Sequence, residues 1–288
     1  HIIAISEDDD TIRLSGNPHP NINEQDICKD KVSEPVPERF LIFGWNKTTS
    51  VMLNNLDKYV PEFSSVNVLT RRTISDEDAI NLKNSLGNLD LKLQTAEIDN
   101  RSFLEHIGFD EIDHIVIQSN DELMVEETDI ETVSLLLNLR DIREKYGYNF
   151  TILSEILDDR NRALLGVSQA DDFIVSNNIV SLALSQISEN KLLGEVFRYL
   201  FNPEGSEIYL KPVMDYVSID GEIDFYTIIW ASQNKGETAI GYRLQNKSAV
   251  PSQMLGKKEM TYGIVLNPLK SEIIPFEEND KVIVLAES

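Results

Sequence analysis

The sequence predicts a Rossmann-like α/β fold: a doubly wound parallel sheet, then a crossover helix, then a smaller β-rich α+β lobe. Three observations carry that expectation. Phe40-Leu41-Ile42-Phe43 is a short uncharged apolar run that ends in Gly44 and feeds a helical pattern from Thr48, as the first strand of such a sheet does. Strand and helix signals then alternate as far as Val175, a rhythm that specifies a mainly parallel sheet covered on both faces. After Pro203 the alternation stops and strand signals dominate.

Taken in order, residues 1–37 read as the tail of a preceding domain plus a linker. His1 to Ile5 is apolar enough for a strand, whereas Pro18, Pro20, Pro35 and Pro37 disfavour helix and strand ladders alike. The α/β lobe is expected over 38–178. It opens as a βαβ unit, with a second strand at Val66-Asn67-Val68-Leu69. Ser75 is the expected N-cap of the next helix, with Asp78 where a capping box carries Glu or Gln. Further strands are expected at 91–95, 114–118, 150–156 and 172–175. Helices are expected at 101–108 and at 132–146, the latter ending at Gly147. A single long crossover helix occupies the segment 179–205, running to about Phe201. The last lobe, 206–288, should hold strands at 208–210, 224–230, 238–243 and 282–285.

Composition bounds the function. The 288 residues carry a formal net charge of -23, a field that repels phosphate backbones and anionic lipid, so no nucleic-acid partner is expected. The same field favours cations, although acidity also serves solubility alone. One cysteine, Cys28, allows neither an intramolecular disulfide nor a cysteine metal cluster and fits a reducing compartment. No window approaches the roughly 20 apolar residues of a membrane span, and no signal peptide is expected at the chain's start. Because His1 stands where an initiator Met would, the chain is expected to be part of something longer.

Dinucleotide sites need Gly-x-Gly-x-x-Gly for backbone approach to pyrophosphate and an acid after the second strand for the ribose. Here the turn is Gly44-Trp45-Asn46-Lys47-Thr48-Thr49, and the second strand ends in Thr70-Arg71-Arg72. Neither requirement is met, which disfavours a nicotinamide cofactor. A nucleotide or other anion could still be held at this turn by Gly44, Trp45, Thr48 and Arg71, and the plainer alternative is a degenerate turn that closes the sheet. Glu7, Asp8, Asp9 and Asp10 offer clustered oxygen ligands for a hard cation such as Ca²⁺, without EF-hand spacing; the competing reading is a solvated turn. Glu155, Asp158 and Asp159 stand at the carboxyl end of the fifth strand, the edge at which open α/β sheets bind ligands, and Asp121 and Glu122 share that edge. The alternative there is structural pairing of Glu155 with Arg160. No nucleophile elbow and no paired histidines mark an enzyme.

Several stretches resemble one family. Pro37-Glu38-Arg39-Phe40-Leu41-Ile42-Phe43-Gly44-Trp45 is similar to the Pro-Glu-(Arg/Lys)-Ile-Leu-(Phe/Leu)-(Cys/Ala)-Gly-Trp that opens a regulatory domain in the Castor and Pollux ion channels. Ile5-Ser6-Glu7-Asp8-Asp9-Asp10-Thr11, Ser154-Glu155-Ile156-Leu157-Asp158-Asp159-Arg160, Val175-Ser176-Asn177 with Val180-Ser181-Leu182-Ala183-Leu184, and Ile240-Gly241-Tyr242-Arg243-Leu244 agree in the same order. The resemblance implies an RCK-type (regulator of potassium conductance) region at the cytoplasmic face of a membrane, non-catalytic, coupling ion or nucleotide binding to a transmembrane pore upstream in the same polypeptide. It favours calcium as ligand. Related RCK domains place acids of a Ca²⁺ site near the edge that holds Glu155, although Leu157 stands where a second acid would help. It also implies a homo-oligomer, a dimer through the crossover helix that closes into a ring when the pore is attached. Two other readings remain: an NAD(P)-linked enzyme and a ligand-free assembly module.

Overall fold

In the computed structural model, which describes residues 22–28, 36–161, 172–202, 205–247 and 263–287, the apolar run at Phe40 is the inner part of strand β1 (Arg39–Phe43). It sits mid-sheet because all four of its apolar side chains must be covered. Phe40 and Ile42 face one side, with Val66 and Val68; Leu41 and Phe43 face the other, with Ile115 and Ile117. A strand buried on both faces reads as a continuous apolar run rather than an alternating one.

β1 pairs in parallel with β2 (Ser64–Thr70) and with β4 (His114–Ile117). β3 (Leu89–Thr95), β5 (Thr151–Ile156) and β6 (Asp172–Val175) complete a six-stranded sheet of order β3-β2-β1-β4-β5-β6, all of whose pairings are parallel. The order reverses between β1 and β4, which opens a crevice at the carboxyl edge. The connections are α1 (Thr49–Tyr59), α2 (Asp76–Ser85), α3 (Arg101–Glu105) and α4 (Val125–Tyr146). Leu53 of α1 and Leu82 of α2 cover the face of Phe40, while Leu135, Leu136, Leu139 and Ile142 of α4 cover the face of Phe43. Ser75 caps α2 by accepting from the Asp78 amide, and Gly147, at φ 72°, ends α4. α4 begins seven residues before the helix expected at Thr132.

The chain divides into two compact units, Pro35–Gly194 and a second that joins Glu195–Ser288 to the N-terminal segment. The expected single crossover helix is two helices, α5 (Ser176–Glu189) and α6 (Leu193–Leu200). Asn190-Lys191-Leu192 separates them, with the Asn190 side chain accepting from the Leu192 amide at 3.0 Å in place of a helical bond.

The second unit holds a four-stranded antiparallel sheet, β7 (Ser206–Pro212), β9 (Thr238–Arg243), β10 (Ile264–Leu266) and β12 (Lys281–Glu287), in the order β10-β9-β12-β7. β8 (Ile223–Asp224) pairs with β11 (Ile273–Ile274). The strand expected at 224–230 is instead helix α7 (Phe225–Gln233). Asp224 caps it by accepting from the Thr227 amide at 2.9 Å, and Phe225, Ile228 and Ala231 recur at helical spacing in the core. Residues 22–28, inside the expected linker, belong to this unit. Ile27 bridges to Val217, and the Cys28 amide donates to the Tyr216 carbonyl at 2.9 Å. The strand expected at 1–5 and the acidic run 7–10 lie outside the described residues. No described helix is long and apolar enough to cross a membrane.

Candidate functional site

The turn after β1 is built around two residues. Gly44 has φ 97°, and a Cβ there would stand 2.9 Å from the Gln118 carbonyl oxygen, so the close approach of β1 to the end of β4 requires glycine. Asn46 is buried and closes the turn on itself. Its Oδ1 accepts from the Thr48 amide at 2.9 Å and the Thr48 hydroxyl at 2.7 Å, and its own amide donates to Thr49 Oγ1 at 2.8 Å. The Lys47 amide donates to Asp121 Oδ2 at 3.0 Å. Amides that would cradle a pyrophosphate at this helix start are therefore taken by an asparagine and an anionic carboxylate. The turn has the chemistry of a closed cap rather than of a phosphate cradle.

Beside it a cavity of about 360 Å³ opens between the carboxyl ends of β1, β2 and β4 and the first half of α4. Phe43, Ile117 and Leu135 give it an apolar floor, and Trp45 stands at the rim. Arg71 lies across it, paired with Glu131 at 3.0 Å and Asp99 at 3.3 Å. Burial works to lower the Arg71 pKa, but the Glu131 hydrogen bond and the charges of Glu131, Asp99 and Glu97 outweigh it and hold the value above the ordinary one. Arg72 points toward Asp121 and Glu122, each at 3.7 Å. Both arginines are thus matched by carboxylates, and among the described residues the rim offers an incoming anion no uncompensated positive charge.

A second centre lies at the ends of β4 and β5. Glu155 Oε2 accepts from the Ser119 hydroxyl at 2.7 Å, the Ser119 amide at 3.0 Å and Asn46 Nδ2 at 3.4 Å; Oε1 accepts from the Ser176 hydroxyl at 2.6 Å. Burial would raise the Glu155 pKa, yet the bonds from Ser176, Ser119 and Asn46 hold it below the usual glutamate value. One carboxylate so joins the first turn, the β4 end and the first residue of α5. Asp158 is placed apart from this: it pairs with Arg160, through Nε at 2.9 Å. Its amide and that of Leu157 donate to the buried Asp129.

Of the residues singled out from sequence, Gly44, Trp45 and Arg71 come together at the cavity. Thr48 turns inward onto Asn46. Glu155 and Asp158 each find separate protein partners, and Arg160 pairs with Asp158 rather than Glu155. Among the described residues no group of three or more His, Cys, Asp or Glu is arranged to hold a metal ion; Glu7, Asp8, Asp9 and Asp10 are outside that set. Sequence reasoning missed Asn46, Ser119, Asp99, Asp129 and Glu131. Asn46 carried a local signal, an Asx residue just before a helix; the others become neighbours only through the sheet.

Fold and site together define a Rossmann-like α/β domain that lacks the dinucleotide fingerprint. By sequence, the chain is 28% identical to the ion channel CASTOR of Lotus japonicus over 280 residues, covering 85% of this chain and 32% of that protein. It is 27% identical to the ion channel DMI1 of Medicago truncatula, over 85% of this chain and 32% of that one. With the probable ion channel POLLUX of Arabidopsis thaliana it shares 26% over 100% of this chain and 37% of that one. The chain is a relative of the Castor and Pollux ion channels, as its motifs indicated, and it spans about a third of the length of those relatives. They are named as channels, not enzymes. No protein-family model matches. An NADPH-dependent 3-quinuclidinone reductase of Rhodotorula rubra (TM-score 0.29, 12% identity, 43% of this chain, 58% of that chain) and a short-chain dehydrogenase of Oenococcus oeni (TM-score 0.29, 12% identity, 55% and 77%) are among similar solved structures. Scores at that level carry no argument.

Proposed function

We propose that this chain is the ligand-sensing regulatory region of a Castor/Pollux-type cation channel, at the cytoplasmic face of a membrane and tethered to a pore elsewhere in the same polypeptide. The similarity to ion channels over 85–100% of the chain carries the reading. The first turn supports it from the other side, since its amides are capped by Asn46 and Asp121 rather than presented to a nicotinamide cofactor. A ligand that binds one conformation of an assembled ring more tightly does work on the attached pore equal to its differential affinity. Candidate positions are the cavity at Gly44, Trp45 and Arg71 and, for calcium, the carboxylates Glu155, Asp158 and Glu7 to Asp10.

Assembly is part of the proposal. On α5, Ile179, Val180, Leu182 and Leu184 are all at least half exposed, an apolar stretch that a homo-oligomeric partner would cover. Calorimetric titration with Ca²⁺, Mg²⁺, NAD and adenine nucleotides tests ligand sensing, and light scattering at low and high salt tests assembly. Saturable binding of Ca²⁺, Mg²⁺ or an adenine nucleotide, lost in Arg71→Ala or in Glu155→Gln, supports the sensor. Silence across the whole panel leaves the ligand-free assembly module, and NAD binding lost in Arg71→Ala favours the enzyme.

A further inference from the structure

Two buried hydroxyls line the cavity at the carboxyl edge with hydrogen-bonding capacity to spare. Thr132, on the first half of α4, is only 3% exposed, yet its hydroxyl has no hydrogen-bond partner among the described residues. Nor is that hydroxyl sealed in the core; the little surface it keeps opens into the cavity. Thr70, at the end of β2, is 4% exposed; its oxygen accepts from the Arg72 amide at 3.0 Å, and its proton has no acceptor among the described residues. Buried hydroxyls are normally bonded, so a pair left open onto one cavity points to a ligand that completes them. The surroundings are apolar. Phe43, Ile117 and Leu135 form the floor, Trp45 is partly buried at the rim, and Ile130 is 65% exposed beside it on α4. Charge at the rim is paired off, because Arg71 and Arg72 are each held by two carboxylates. An ionised ligand of either sign therefore meets its own sign at once.

We infer that this cavity binds an uncharged planar heterocycle rich in hydrogen-bond donors, a nucleobase or nucleoside without phosphate, an assignment that rests on the sensing role proposed for the region and names its ligand class. Planarity follows from the lining. Trp45 offers an indole face, and the Arg71 guanidinium, held by Glu131 and Asp99, offers a flat surface on which heterocycles stack. Donor-rich edges follow from the carboxylates. Arg71 engages Glu131 Oε1 and Asp99 Oδ2, and a carboxylate carries about four lone-pair sites, so capacity remains for ring N–H, amino or sugar hydroxyl groups. The Thr70 proton and the Thr132 hydroxyl supply what a ring nitrogen or carbonyl needs. The lack of phosphate follows from charge. A monophosphate would bring about 1.5 to 2 negative charges to a rim that holds Asp99, Glu122 and Glu131. The amides that would stabilise it are already committed to Asn46 and Asp121. At about 360 Å³ the cavity lies in the size range that encloses small-molecule ligands.

Calorimetric titration of the whole chain with adenosine, guanosine, cytidine and uridine, each beside its 5′-monophosphate, tests the inference. At least one nucleoside binds saturably, and its monophosphate binds about tenfold more weakly or worse. In the Trp230→Phe variant, which keeps Trp45 as the sole tryptophan, the same nucleoside shifts the Trp45 emission. Thr132→Val, which keeps the side chain's shape, weakens nucleoside binding about fivefold, the worth of one hydrogen bond. It leaves the melting temperature of the free chain no lower than the parent's, because the hydroxyl it removes has no protein partner. A threonine with a merely structural role would do the reverse. Glu131→Gln leaves Arg71 with the Asp99 charge alone and narrows the gap between nucleoside and monophosphate. No saturable nucleoside binding, a monophosphate bound as tightly as its nucleoside, or nucleoside binding that Thr132→Val does not weaken would each overturn the inference. If Ca²⁺, Mg²⁺ or a nucleotide binds while all four nucleosides stay silent, the ligand class falls and the sensing role stands; silence from every one of them removes both.

Discussion

Glu155 ties the first turn, the end of β4 and the start of α5 together at the carboxyl edge. Its ionised side chain accepts from Ser119, Asn46 and Ser176, so its folded pKa lies below the ordinary value near ~4.3. A depressed carboxylate contributes stability that is complete above that ordinary value and is lost as pH falls through the folded one. Glu155→Gln should therefore cost roughly 1–3 kcal/mol at neutral pH, the range for charge-assisted bonds, and the gap between variant and parent should close in urea melts taken toward pH 3. A constant gap would show that the carboxylate's charge is not what holds the edge. Tyr216 is the opposite case. Burial, then its hydrogen bond to Glu237, pushes its pKa well above the ordinary ~10. A raised pKa means a contribution that is complete below ~10 and lost as pH rises beyond it. Tyr216→Phe should cost about 1–3 kcal/mol at neutral pH and remove part of the alkaline loss of stability, read from melting temperatures between pH 8 and 11. Lys211 still pairs with Glu237 at 2.7 Å in that variant, which keeps the carboxylate from standing alone.

Single elements are held as much by side chains reaching across to backbone as by their own propensity. Asp57, on α1, accepts from the amides of Gly87, Asn88 and Leu89 at 2.8–3.0 Å and so sets where β3 begins. Asp57→Ala leaves those amides without their acceptor. It should cost about 1–3 kcal/mol and raise hydrogen exchange at residues 87–89, with β6 at the far end of the sheet unaffected. Asp129 does the same for the chain leaving β5 through Leu157, Asp158 and Asn161. In α7 the local cap and the tertiary core act together. Phe225-Tyr226-Thr227-Ile228-Ile229-Trp230 has strand-like composition, yet Asp224 supplies the N-cap and the core accepts one residue in three or four.

At the scale of the molecule, the two units have separate cores. The parallel sheet's clusters draw on residues up to Ile156, whereas the second unit's cluster begins at Val213 apart from Ile27 and Tyr209, which pack against it. The chain's two tryptophans fall one in each unit, Trp45 in the first and Trp230 in α7. Trp45→Phe and Trp230→Phe each leave a single fluorescent reporter. Urea titrations of the two variants should give distinct midpoints, since separate cores need not melt together. Coincident transitions in both would mean that the units unfold as one.

The sequence by itself determined the run of parallel strands, because a strand buried on both faces needs unbroken apolar residues and a crossover needs a helix after each. It also pointed to the Castor and Pollux channels as relatives, because several stretches agree with theirs in the same order. Gly44 was legible for a local reason, a backbone angle that other residues resist. What only the tertiary structure decided is which polar groups meet. Arg71 could have offered charge to a phosphate, and its partners Asp99 and Glu131 come from β3's exit and α4, 28 and 60 positions further on. Glu155 could have bound a cation, and its donors Asn46, Ser119 and Ser176 converge from three other elements. Local pattern is written in periodicity and caps. The pairing of charges and hydrogen bonds is set by sheet order, which brings together residues that no spacing in the chain relates.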